Sequence, residues 1–301
     1  MVTTTRVVAL AMMLALTGSR FAYATAREDF RVRTEGQPQA EIAGFVLHAG
    51  LLPKGTIFFA HGWGCNKEMM FDCYNRVPKE YGWNAVFFDF RQHGESSKSS
   101  PVGAIFFTTL GYFEVWDYKA VVDWAERQGL AKPYVCLGAS LGAAVSLRFA
   151  AQDDRIRAVF AESPYRTGLD AEKAYHFPDF GQHQAMVEKV DLRISAAQRC
   201  DLQMYILAGE NDWFSVAEQR EIIDASGAPD SYKHFVVVKG GGHANFLGMS
   251  EHDRWISHLL STNANMNRPY AIAAVSSMVI AAAWLITRCL SSRRRTRTLA
   301  P

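Results

Sequence analysis

Five cysteines in 301 residues, none in a Cys-x-x-Cys pair, leave no thiolate cluster for a structural metal. There is no His-x-x-x-His pair either. His176 and His183 lie seven apart without a third ligand and read as solvated loop. Neither sign of charge dominates, since 32 Lys and Arg against 30 Asp and Glu give a formal +2, much of it in the last residues. No basic stretch is interleaved with aromatics, which excludes the usual footprint of a nucleic-acid binder. No internal repeat or low-complexity tract is present, which excludes solenoids and arrays. What remains is globular composition, 49% apolar and 21% charged, in a chain long enough to bury a substantial core. No cofactor or metal is implied.

Glycine and apolar runs are where the information lies. Tyr134-Val-Cys-Leu runs as a short strand into Gly138-Ala139-Ser140-Leu141-Gly142, and Leu141 to Gln152 reads as a helix. A serine between glycines at minus two and plus two, on a strand-to-helix turn, is the context of a nucleophile elbow. Its hydroxyl then stands clear of the sheet near a helix amino end, where developing negative charge is favoured. Downstream, the strand-like run 202–208 ends at Gly209-Glu210-Asn211-Asp212, and the run 233–239 leads into Gly241-Gly242-His243. A serine hydroxyl is a poor nucleophile at neutral pH. His243 is therefore assigned as the base that takes its proton, and Asp212 as the acid that orients the imidazole.

Upstream, Thr56-Ile-Phe-Phe-Ala opens into His61-Gly62-Trp63-Gly64. Acyl transfer needs two backbone donors aimed at the oxyanion, assigned here to the N–H groups of Leu141 and Trp63, with His61 a structural residue of the turn. In Asp89-Phe-Arg91-Gln-His93-Gly94-Glu-Ser96, the polar side chains read as a network fixing a loop rather than as a second catalytic cluster.

His-Gly-x-Gly, Asp-x-Arg-x-His-Gly-x-Ser, Gly-x-Ser-x-Gly, Gly-x-x-Asp and the late Gly-Gly-His together resemble the α/β-hydrolase family over roughly residues 40 to 260. The nearest group is the small esterases and serine-peptidase-like proteins that include the Bem46-like proteins. The chain order Ser140, Asp212, His243 is that family's order. The resemblance implies a mostly parallel eight-stranded sheet with helices on both faces, and a serine hydrolase, foremost a carboxylic ester hydrolase, acting on a small-molecule or lipid-like acyl substrate. Ser140 at the nucleophile position excludes the dehalogenase and epoxide-hydrolase chemistries of this fold, which need an aspartate there. A peptidase or acyltransferase on the same triad, or an ectodomain that only binds a partner, are the alternatives. Many relatives carry His before the nucleophile, where this chain has Ala139. Some draw the acid from the strand end that here carries Glu162, the second candidate for Asp212's role.

Apolar runs at 41–49, 56–61, 84–90, 134–139, 157–162, 202–208 and 233–239, with a first strand near 30–34, give about eight strands with helices between them. Glu114 to Gln128 is one such helix, with Trp116, Ala120, Val121 and Trp124 as its expected core stripe. A further helix is expected from Asp253 to Ser261. Residues 166–200 read as a small cap, and Trp63, Tyr165, Trp213, Phe214 and Phe246 as candidates for an apolar acyl pocket. Cys65 and Cys73 flank a short loop that a disulfide could close; spacing alone does not decide it.

The two ends read as addresses. Arg6, the apolar block Val7–Leu16 and Ala24-Thr25-Ala26 form a secretory signal over residues 1–26, too short to span a bilayer. The catalytic domain then runs from 27 to 264, followed by a short linker at 265–268. The segment 269–287 carries no charge and matches the ~30 Å hydrocarbon core, and the arginine-rich tail 288–301 belongs on the cytoplasmic side. The expected topology is a single-pass membrane protein with an extracytoplasmic enzyme.

Overall fold

The computed structural model describes residues 27–36, 38–50, 53–98, 108–176 and 182–262. The expected signal segment, the membrane segment 269–287 and the basic tail lie outside the described residues. Among the described residues no helix is long and apolar enough to cross a membrane.

Eight strands form one sheet: β1 (Arg27–Arg33), β2 (Glu41–Leu47), β3 (Thr56–Ala60), β4 (Asn84–Phe88), β5 (Tyr134–Ala139), β6 (Ile156–Glu162), β7 (Gln203–Gly209) and β8 (Lys233–Val238), in the order β1-β2-β4-β3-β5-β6-β7-β8. β1 and β2 are antiparallel to each other, and β2 to β4; the remaining pairings are parallel. Beyond their first residues, β3, β4 and β5 are apolar, as burial on both faces requires.

Successive side chains divide between two cores. Phe58, Ala60, Tyr134 and Cys136 face helices α3 (Glu114–Arg127) and α4 (Leu141–Gln152). Ile57, Phe59, Val135 and Leu137 face α1 (Lys67–Tyr74), α2 (Val77–Tyr81) and the late helix α9 (Ser250–Thr262). The stripe of α3 differs from expectation. Val115, Tyr118, Val121, Val122 and Ala125 are buried with Ala120 and Trp124, whereas Trp116 is exposed and lies across Gly36. A tryptophan that covers a glycine from outside carries the same sequence signal as one in a core.

Between β6 and β7 the described residues include three short helices, α5 (Gly168–Tyr175), α6 (Gln182–Val187) and α7 (Leu192–Ala197). Thr167 and Asp170 cap α5 reciprocally. Arg166 pairs with Asp170 and reaches Glu221 on α8 (Val216–Asp224), which ties this segment to the helix after β7.

Candidate active site

Ser140 sits between β5 and α4 at φ 54° and ψ −113°, a conformation that costs an L-residue about 1–3 kcal/mol. Both flanking glycines are required by close approach. A Cβ on Gly138 would lie 2.3 Å from the Gly142 carbonyl, and one on Gly142 would lie 2.0 Å from the Ala60 oxygen. The turn is held further by Ser140 N–H donating to the Glu162 carbonyl at 2.8 Å. Leu141 becomes the first residue of α4, where a backbone N–H has no intrahelical acceptor.

The loops after β7 and β8 are stitched together. Gly209 packs against the Gly241–Gly242 backbone so closely that a Cβ would meet it at 2.4 Å, and Asn211 N–H donates to the Gly241 carbonyl. Ala244 N–H donates to Ser163 Oγ, fixing the same loop to the end of β6. These ties bring three side chains from three loops into one line. Ser140 Oγ is 2.8 Å from His243 Nε2, and His243 Nδ1 is 2.7 Å from Asp212 Oδ1. A carboxylate on Nδ1 requires the proton there, so Nε2 is the acceptor for the serine hydroxyl. The Asp212 side chain is fully buried; Oδ1 also accepts from Phe214 N–H and Oδ2 from Gln219 Nε2.

Glu162, the second candidate for the acid, faces elsewhere. Its Oε1 accepts the Tyr74 hydroxyl at 2.5 Å and lies 3.1 Å from His252 Nε2. Burial alone would lower the His252 pKa, but the hydrogen bond and charge of Glu162 outweigh it and raise it. This cluster borders a cavity of about 460 Å³ near Cys73 and α9, with no residue of the Ser140–His243–Asp212 line in its wall.

The turn after β3 lies against the elbow: a Cβ on Gly62 would be 3.6 Å from Ser140 Cβ. Within it, Gly64 N–H donates to His93 Nε2 and Cys65 N–H to the Gly62 carbonyl. His61 is fully buried, accepts Phe90 N–H on Nε2 and contacts the Gly62 carbonyl through Nδ1; burial pulls its pKa down to about 3, so it stays neutral. Asp89 accepts the backbone N–H groups of Lys67 and Glu95 and the Lys67 ammonium, and Arg91 grips Asp117 with two nitrogens. These polar side chains fix the loop after β4. Cys65 and Cys73 are free thiols whose pKa values burial raises.

A cleft of about 740 Å³ has Tyr175, which touches Ser140, in its wall, though no residue of the Ser140–His243–Asp212 line itself. Trp63, Trp213 and Phe214 line it as expected, and Trp213 stacks on the His243 ring at 4.3 Å. Tyr165 and Phe246 do not. Tyr165 is buried with its hydroxyl on the Leu110 carbonyl, and Phe246 belongs to the core on the opposite face of the sheet. Proximity in sequence to the motifs did not reveal which way these rings point.

Two contacts were not anticipated. Gln219 positions Asp212, and Tyr175, the last residue of α5, puts its hydroxyl 2.6 Å from Ser140 Oγ. Only the aromatic character of Tyr175 was visible beforehand; nothing in its spacing pointed to Ser140.

A family model described as alpha/beta hydrolase fold matches residues 55–187. An esterase of Pyrococcus furiosus superposes with a TM-score of 0.62 at 21% identity, over 79% of this chain and 91% of its own. The α/β hydrolase GrgF of Penicillium sp. sh18 gives 0.63 at 14% identity, over 80% and 99%. A thermophilic esterase of Thermogutta terrifontis gives 0.53 at 17%, over 79% and 99%. No curated protein matches. The protein has the α/β-hydrolase fold.

Proposed function

We propose that the protein is a serine hydrolase of the small-esterase type, cleaving a carboxylic ester, with thioester and amide as related substrates, through an acyl-enzyme. The observation that carries this reading is the unbroken hydrogen-bond line from Ser140 through His243 to buried Asp212. Ser140 Oγ attacks the substrate carbonyl carbon while His243 Nε2 takes its proton. The oxyanion that forms is held by the N–H groups of Leu141 and Trp63. Collapse expels the alcohol, which takes its proton from His243. A water activated by the same imidazole then returns free acid and Ser140. The fold, shared with two esterases, is consistent with this chemistry, and the exposed rings of Trp63 and Trp213 at the cleft suit an apolar acyl or alcohol group.

The same proposal includes the setting: residues 1–26 a cleaved signal, 269–287 a membrane anchor, and the enzyme extracytoplasmic. It rests on the apolar block, the uncharged segment and the arginine tail.

A fluorophosphonate probe tests the nucleophile. Wild-type protein takes it on Ser140 and hydrolyses short p-nitrophenyl esters; Ser140→Ala does neither and keeps its thermal midpoint. Labelling of another serine, or undiminished turnover by Ser140→Ala, overturns the assignment. A folded wild-type protein that takes no probe and turns over no ester, thioester or amide points instead to a binding ectodomain.

A further inference from the structure

Ser140 Oγ has two polar neighbours, and their roles are fixed by what each can offer. His243 carries its proton on Nδ1, toward Asp212, so its Nε2 takes the serine hydroxyl's hydrogen bond. That leaves only lone pairs on Oγ for Tyr175, whose hydroxyl 2.6 Å away is therefore the donor. Burial pushes the Tyr175 pKa up to about 12, so it stays protonated where the imidazole works.

The ring is held from three sides. It lies 5.3 Å from Trp63, 6.0 Å from Trp213 and 6.2 Å from Phe214, centroid to centroid. The nearest of these belongs to the turn whose backbone is proposed to hold the oxyanion. The other two rings also pack on His243, so Tyr175 stands between the turn after β3 and the imidazole, with its hydroxyl on Ser140 Oγ.

We propose that the Tyr175 hydroxyl is a third donor to the oxyanion, supplied by the segment between β6 and β7 rather than by the elbow or the turn after β3. The inference rests on Ser140 being the nucleophile. In the free enzyme the donor is parked on Oγ. As Oγ bonds to the carbonyl carbon it becomes an ester-like oxygen and a weaker acceptor, while full negative charge gathers on the carbonyl oxygen one atom further on. The hydroxyl follows the charge by a small swing. No proton leaves Tyr175: the serine proton goes to His243, and the tyrosine contributes a hydrogen bond only. One lone pair of Oγ stays open for the attack, so substrate need not expel the ring. The oxyanion site is complete only when α5 is seated.

Tyr175→Phe removes the hydroxyl and keeps the ring against its three neighbours. Loss of a hydrogen bond to a charged oxygen corresponds to about a 10- to 100-fold fall in kcat on a p-nitrophenyl ester. KM should hold within a few-fold, and thermal unfolding should be unchanged. Phenylboronic acid, which forms a tetrahedral adduct on a nucleophilic serine, should bind more weakly by a similar factor, whereas butyrate, a ground-state product, should bind equally well. Faster turnover by Tyr175→Phe makes the tyrosine a gate and unchanged turnover makes its hydroxyl a bystander; either overturns the proposal. So does a loss carried by KM, or equal weakening of boronate and butyrate, since either marks a structural contact. Wild-type protein that takes no fluorophosphonate on Ser140 overturns the underlying reading instead; labelling of the wild type with indifference to Tyr175→Phe overturns this one alone.

Discussion

Two carboxylates, Asp212 and Glu162, end neighbouring strands, and their surroundings separate them. Asp212 touches the imidazole that touches Ser140, while Glu162 holds Tyr74 and His252. Asp212→Asn should lower kcat by about 10⁴, because an amide can hold the imidazole in the wrong tautomer. Glu162→Gln should cost less than about tenfold, since its carboxylate touches Tyr74 and His252 and no member of the line, and its backbone carbonyl still accepts Ser140 N–H. Steady-state rates of both variants, measured side by side, check the ranking, and the reverse order would move the acid to Glu162. Gly142→Ala makes a different kind of test. Its Cβ would meet the Ala60 oxygen at 2.0 Å, far inside contact, and backbone cannot step aside as a side chain would. A loss of at least about 1–3 kcal/mol, read by urea denaturation, is expected from overpacking of this kind.

At the scale of elements, α9 is joined to the sheet by a titratable contact. His252 lies between Glu162, Tyr74 and Asp253, with Glu162 and Tyr74 within hydrogen-bond reach and the Asp253 carboxylate at 3.8 Å. Glu162 raises its pKa above the ordinary value near 6.5. The folded state therefore binds this proton more tightly than the unfolded chain does. The stability it contributes is fully present below about pH 6.5 and is lost as pH rises through the folded value. Chemical denaturation across that window should show unfolding free energy declining with pH, and His252→Asn should flatten the decline. A slope that survives the substitution assigns it to another group.

For the whole molecule, the last strand among the described residues ends at Val238, and α9 is described to Thr262, before the uncharged segment begins. A fragment of residues 27–264 should be soluble, monodisperse and active on short esters, while the full chain partitions with membranes. Protease added outside intact cells should digest the domain and spare the arginine tail. An inactive or aggregated fragment, beside an active detergent-solubilised full chain, would make the tail part of the fold. Protection of the domain from external protease would invert the topology.

The strands, the elbow helix and the chain order of Ser140, Asp212 and His243 were legible in the sequence because each is local. A buried parallel strand is a short apolar run, and a tight strand-to-helix turn demands glycines at fixed offsets. The helix Leu141–Gln152 and the strand Tyr134–Ala139 fall where their residues put them. What tertiary structure decided was the direction of side chains. Trp116 lies outside over Gly36, Phe246 lies in the opposite core, Glu162 turns to His252, and Tyr175 reaches Ser140 across 35 positions of chain. A ring or a carboxylate has the same local signature whichever neighbour it meets. That neighbour is fixed only when strands far apart in sequence are set side by side.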